Sequence, residues 1–313
     1  MNFTTLWNKH RFLYIGILWV SAAMGTLMAP SLTVQLIVAA GGVGLIGIAH
    51  GAIDYRFGRK LLEPGWGWVW FLVFVGLYLS FGFGMFSIWI WNPRLALFVF
   101  LLLAVPHFGF EDVVSKRYSS LTSIVFALGL GTLPIALPSY FSTDQTTTVF
   151  NMLLPVEQHL HQSSVLMVSW VVLIASLSAI FVSGILEFGR TVSQPTEIIT
   201  FFVECISLIV MFTLVTPILG FTIYYCFGHS MREMIEITDE LYTGPVWNRV
   251  TQFAREVSPI VVSTLIIASM AWYVMTDYHL PPSSILAIVV FVGLNLVFIP
   301  HMVFDVWHEY SSV

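Results

Sequence analysis

The sequence predicts an all-α protein: a polytopic transmembrane helical bundle of about ten spans with both termini cytoplasmic. Three observations carry this prediction. Of 313 residues, 58% are hydrophobic and only 9% charged, against roughly 45–50% and about 25% in soluble domains, so the charges are too few to cover a soluble globule. The apolar residues gather in stretches of roughly 17–25, the length that crosses a hydrocarbon core of about 30 Å as helix. Lys and Arg are also concentrated in alternate connections, as cytoplasmic loops require.

The first stretch, 12–29, follows Lys9 and Arg11 and has no small-x-small cleavage site before Pro30, so it reads as a retained helix rather than a signal peptide. Pro30 separates it from 31–53. The third stretch, 66–90, has Trp66, Trp68 and Trp70 at one end and Trp89 with Trp91 at the other, positions suited to interfacial anchoring. Next come 95–112, 120–140 and 164–187, with a polar connection over 142–164. Pro217 and Gly220 divide 197–217 from 218–238, and polar residues 239–258 precede 258–276 and 282–305. On this plan one side receives Lys9, Arg11, Arg56, Arg59, Lys60, Lys116, Arg117, Arg190, Arg249 and Arg255, and the other only Arg94. A missed span would exchange every later loop. The expectation is a single membrane domain over 1–313, in the cell membrane, with no soluble domain at either end.

A net charge of -5 without a long basic run excludes nucleic acid as a partner and favours lipophilic ones, including membrane lipid. Cys205 and Cys226 both sit in apolar stretches, which argues for packing and against a disulfide framework or a CxxC site.

The chemistry lies in the histidines. His50 in IAHGAIDY, His107 in VPHFGFEDV, His229 in CFGHSMREM and His301 in IPHMVFDVW fall on the second, fourth, eighth and tenth stretches, all near the cytoplasmic end. They share one depth; His10 and His308 are terminal, and His159, His161 and His279 fall on the opposite side. Each of the four has a carboxylate four residues later, at Asp54, Glu111, Glu233 and Asp305, with Asp112 beside Glu111. Positions i and i+4 share a helix face. Metal-bound imidazole usually donates its other N–H to a carboxylate, which the same residue or a neighbouring helix can supply. Four such pairs in a membrane domain would be a heavy cost unless they served a site. The pattern therefore predicts a metal centre toward the cytoplasmic side, with those five acids as orienting groups or alternative ligands. Imidazole suits zinc, copper and iron; a histidine-rich site with an open position suits iron and oxygen chemistry.

Around the motifs, Gly51, Gly109 and Gly228 predict close helix packing. Phe108, Phe110, Tyr224, Tyr225, Phe227, Phe304 and Trp307 are candidates to line a path for a flat apolar substrate. Arg232 is expected to pair with Glu233, Glu236 or another of the clustered acids.

Taken together, HGAID, PHFGFED, the FGHS stretch and PHMVFD in a chain made almost wholly of spans resemble the Brp/Blh family of bacterial and archaeal β-carotene 15,15′-dioxygenases. The resemblance implies an iron(II) enzyme that cleaves the central double bond of β-carotene with O2 to give two retinal molecules, often to supply a retinal-binding rhodopsin. It implies His50, His107 and His229 as ligands. Members of that family commonly carry a histidine four residues after the position of His229, where this chain has Glu233. Either Glu233 is a carboxylate ligand or His301 completes a four-histidine site; the shared depth favours His301.

Other readings have less behind them. A di-iron desaturase would need HxxxH and HxxHH clusters, which are absent. A His/acid-lined metal or proton transporter would place sites at several depths. A related oxygenase acting on another carotenoid or isoprenoid is the reading that Glu233 would favour. No Ser-His-Asp order, phosphate loop or HExxH motif points to a nucleophile or another catalytic group beyond the metal site.

Overall fold

A computed structural model describes residues 3–112, 120–191 and 195–311, and among these the chain is all helix with no strand. We number the helices α1 (Phe3–Leu27), α2 (32–51), α3 (Asp54–Trp66), α4 (Trp70–Trp91), α5 (Pro93–Asp112), α6 (Leu121–Phe141), α7 (Thr143–Met152), α8 (Gln162–Thr191), α9 (Pro195–Leu214), α10 (217–241), α11 (Val246–Met275) and α12 (282–311). Each of the ten apolar stretches overlaps a helix. Among the described residues, six helical segments are long and apolar enough to cross a membrane: Leu32–Trp91, Pro93–Phe110, Leu121–Phe141, Gln162–Leu186, Val246–Tyr278 and Pro282–His308.

Helix boundaries follow local chemistry. Ser120 begins α6 with a reciprocal Ser120–Ser123 cap, Pro217 and Pro282 open α10 and α12 where their missing N–H is harmless, and Gly244 takes a φ of 102° in the turn before α11. Three departures from expectation have simple causes. α3 lies in the connection between the second and third stretches and α7 in the polar connection over 142–164, yet both are helical. Their apolar residues are too few for a hydropathy signal; α3 buries Phe57, Gly58 and Leu62, and α7 buries Thr143, Thr146, Thr147 and Val149. α11 begins within the polar stretch before 258. Trp89, expected at an interface, is buried, whereas Trp66, Trp68 and Trp91 are exposed.

α10 meets each of the helices that carry the other three histidines: α2 and α5 directly, and α12 through Phe221–Phe291 and Glu233–His301; α2 also meets α12, and Phe100 of α5 meets Phe298 of α12. Small residues set the spacing of this layer. A side chain at Gly109 of α5 would run into the Ala127 carbonyl, and one at Gly131 of α6 into that of Val105, so the two helices touch backbone to backbone. Ser176 of α8 then donates to the Gly129 carbonyl at 2.6 Å.

Candidate metal centre

All four helices that carry a clustered histidine are irregular near it. His50 follows the π turn Val43–Gly47, His229 lies within the π turn Tyr224–Ser230, and the π turn Ile288–Val292 lies upstream of His301. Pro106 and Pro300 directly precede His107 and His301. A π turn or a proline leaves ladder groups unpaired and re-aims nearby side chains. At membrane depth such backbone persists only when buried in protein. These distortions converge on one place.

There the imidazoles form a closed ring. Neighbouring ring centroids are 5.4 Å apart for His50–His229, 4.8 Å for His229–His107, 5.3 Å for His107–His301 and 5.0 Å for His301–His50, each pair edge-on. None is more than 5% exposed. Potential ligand atoms of His50, His107 and His301 lie within 4.8 Å of one another, as do those of His50, His229 and Glu233. The Glu233 carboxylate oxygens stand 3.5 Å from Nε2 of His50, 3.8 Å from that of His229 and 3.7 Å from that of His301. Atoms each about 2.1 Å from a shared ion lie roughly 3–4 Å apart, so these separations suit common coordination.

A metal ion also answers an otherwise unmet demand. Nε2 of His229 and Nε2 of His301, both turned toward Glu233, are buried without a hydrogen-bond partner. Each orphan of this kind costs about 1–3 kcal/mol, and one ion could take both. The donor set of imidazoles with one carboxylate fits iron(II), among other borderline metals.

The acids are arranged differently from a simple i+4 pattern. His229 does face Glu233. Asp54, one turn beyond His50, instead accepts from Nδ1 of His301 at 2.9 Å through Oδ1, and its Oδ2 accepts from the Tyr78 hydroxyl at 3.2 Å. This anchors the His301 ring with Nε2 toward the cluster. Asp305 is buried one turn past His301. The side chains of Glu111 and Asp112 lie outside the described residues. Arg232 bonds Glu204 of α9, a partner outside the clustered acids, and Glu204 also holds Arg11 of α1 at 3.2 Å. His10 and His308 take structural partners, the Phe227 carbonyl and Glu240.

A cavity of about 220 Å³ adjoins the cluster. His50, His107 and His301 form its floor, and Tyr78, Leu79, Ile260, Thr264, Val297 and Phe298 are among its walls. Of the seven aromatic candidates, Tyr225 lines this cavity. Phe108 backs His229 edge-on at 5.0 Å, and Tyr224 packs on Phe108 at 5.5 Å. Phe227 offers its carbonyl to His10, and Phe304 is buried against Phe74 with Trp307 stacked on it. Phe110 is partly buried two residues before the end of α5. Sequence reasoning did not reach Tyr78, Phe298 or the α11 wall. A lone phenol in the middle of FVGLYLSF was the available signal, since a buried hydroxyl needs a partner.

No curated protein and no solved structure matches this chain. A family model described as beta-carotene 15,15'-dioxygenase matches residues 41–308 and so takes in all four clustered histidines. The chain belongs to the beta-carotene 15,15'-dioxygenase family.

Proposed function

We propose that this protein is an iron(II)-dependent enzyme of the cell membrane that cleaves the central double bond of β-carotene with O2 to give two molecules of retinal. The carrying observation is the ring of four buried imidazoles, three of which line an apolar cavity, in a chain of this family. The metal centre would face the cytoplasm, the side that holds the basic loops.

His50, His107, His229 and His301 would hold the ion, and the Glu233 carboxylate, facing three of these rings, would offset part of its charge. When bound, iron(II) supplies the redox chemistry that lets O2 react with an alkene. The chain's own contribution is placement and exclusion. Asp54 holds His301 in the tautomer that carries its proton on Nδ1, leaving Nε2 for the metal. Leu79, Ile260, Val297 and Phe298 give the polyene an apolar wall and keep water from the reacting carbons. Each alkene carbon gains one oxygen atom of O2 as the carbon–carbon bond breaks, so the reaction balances without a proton or a protein nucleophile. A retinal-binding rhodopsin is the class of partner that would use the product.

The test is expression in β-carotene-producing bacteria followed by pigment extraction. Loss of carotene with formation of retinal, abolished by His107→Ala, is expected. Unchanged carotene beside fully iron-loaded protein would refute the substrate assignment.

A further inference from the structure

A second, smaller apolar cavity, of about 80 Å³, lies on the outer side of the histidine layer between α4, α5, α6, α7, α10 and α12. Leu101, Ser139, Thr146, Phe150, Phe221 and Phe291 are among its walls. Its two hydroxyls are turned away from the space: Ser139 donates to the Ile135 carbonyl at 2.7 Å and Thr146 to that of Pro138 at 2.9 Å. Apart from the buried indole N–H of Trp89, which has no partner, the wall presents carbon. Such a space favours hydrocarbon over water.

Two aromatic contacts link the wall of this cavity to that of the one at the histidines. Phe298, on the histidine side, meets Phe100, on the outer side, with centroids 5.5 Å apart. Tyr225 stacks on Phe221 in the same way at 5.7 Å. Tyr225 lies within one π turn and Phe291 within another, so two of the partition's helices are irregular where the cavities meet. Phe298 also rests edge-on against His107 at 5.1 Å. The partition therefore stands beside the metal centre.

We propose, building on the polyene-cleaving reading above, that this outer cavity receives the far half of the substrate, with Phe298 and Tyr225 moving aside as it passes. A symmetric polyene cut at its centre extends equally on both sides of the reacting bond. On this reading the cavity at the histidines takes one half, and the other half needs a second apolar space. The outer cavity is placed to be that chamber, which makes its depth a determinant of substrate length.

The test narrows the outer cavity without touching the histidines. Ser139→Phe and Leu101→Trp, on opposite walls, are prepared as full-length iron-loaded protein and compared with wild type on β-carotene and on a C30 apocarotenal whose second arm is short. Expected is at least a tenfold fall in kcat/KM for β-carotene with the C30 substrate within twofold. The β-carotene retained by chelator-stripped protein, read by its absorbance, falls in parallel. An iron-loaded variant that binds and cleaves β-carotene like wild type overturns the proposal, and so does an equal loss of both substrates. A wild-type protein that binds β-carotene in a manner sensitive to Ser139→Phe, yet cleaves neither compound, refutes the enzyme assignment and leaves the cavity assignment standing.

Discussion

Nδ1 of His301 donates to Asp54 at 2.9 Å across 247 positions of sequence, although Asp54 lies one turn from a different histidine, His50. The carboxylate that orients one ligand is thus delivered by the segment that carries another. Tyr78 completes the arrangement by donating to the second oxygen of the same carboxylate.

Asp54→Asn tests this contact. The amide keeps the shape of the side chain but loses the charge that holds the Nδ1 proton of His301, and removal of such orienting groups typically costs 10–100-fold in metal affinity. Chelator competition is expected to register a fall in iron affinity within that range, with thermal stability of the stripped protein little changed. Wild-type affinity would remove Asp54 from the metal centre.

His301→Ala and Glu233→Gln separate the two candidates for the fourth ligand. Loss of the His301 ring deletes a donor and leaves Asp54 buried without its partner, whereas Glu233→Gln retains every imidazole. Iron content by mass spectrometry is expected to collapse in the first variant and to persist, with weaker binding, in the second. The reverse pattern would make Glu233 the ligand.

Gly109→Ala probes the contact between α5 and α6. Its new methyl group meets the Ala127 carbonyl, a backbone atom that cannot swing away. Overpacking of this kind costs about 1–3 kcal/mol. A lower unfolding temperature in detergent is expected, together with reduced activity, because His107 lies two residues away on the displaced helix. Equal stability to wild type would mean that the helices separate without penalty.

Glu204→Gln dismantles the clamp from Arg11 of α1 through Glu204 of α9 to Arg232 of α10. Removing one partner of a buried ion pair costs about 3–5 kcal/mol because the remaining charges lose their compensation. Thermal unfolding is expected to shift downward by more than in any exposed-pair control, such as Glu63→Gln, whose partner Arg59 is largely exposed. Equal shifts in the two variants would show that the clamp carries no special weight.

Much of this protein was legible in its residues alone. Apolar length marks helices because each membrane-buried backbone group must be satisfied within its own segment. For the same reason the concentration of basic residues in alternate connections could be read against the apolar stretches, and four histidines at one depth stood out from five that were not. The helices α3 and α7 escaped because short amphipathic segments bury one side only, which hydropathy does not register.

What the tertiary structure alone decided is which groups face each other. An i+4 interval places a histidine and an acid on one side of a helix, but the direction of a ring nitrogen depends on the helix packed opposite. That is why Asp54 serves His301, why Arg232 turns to Glu204, and why Tyr78 enters the site. The two cavities belong to this category as well, since empty space is a property of how α4, α5, α10, α11 and α12 fail to fill the volume between them. Local sequence sets which chemical groups are available; the angles and distances between helices set which of them meet.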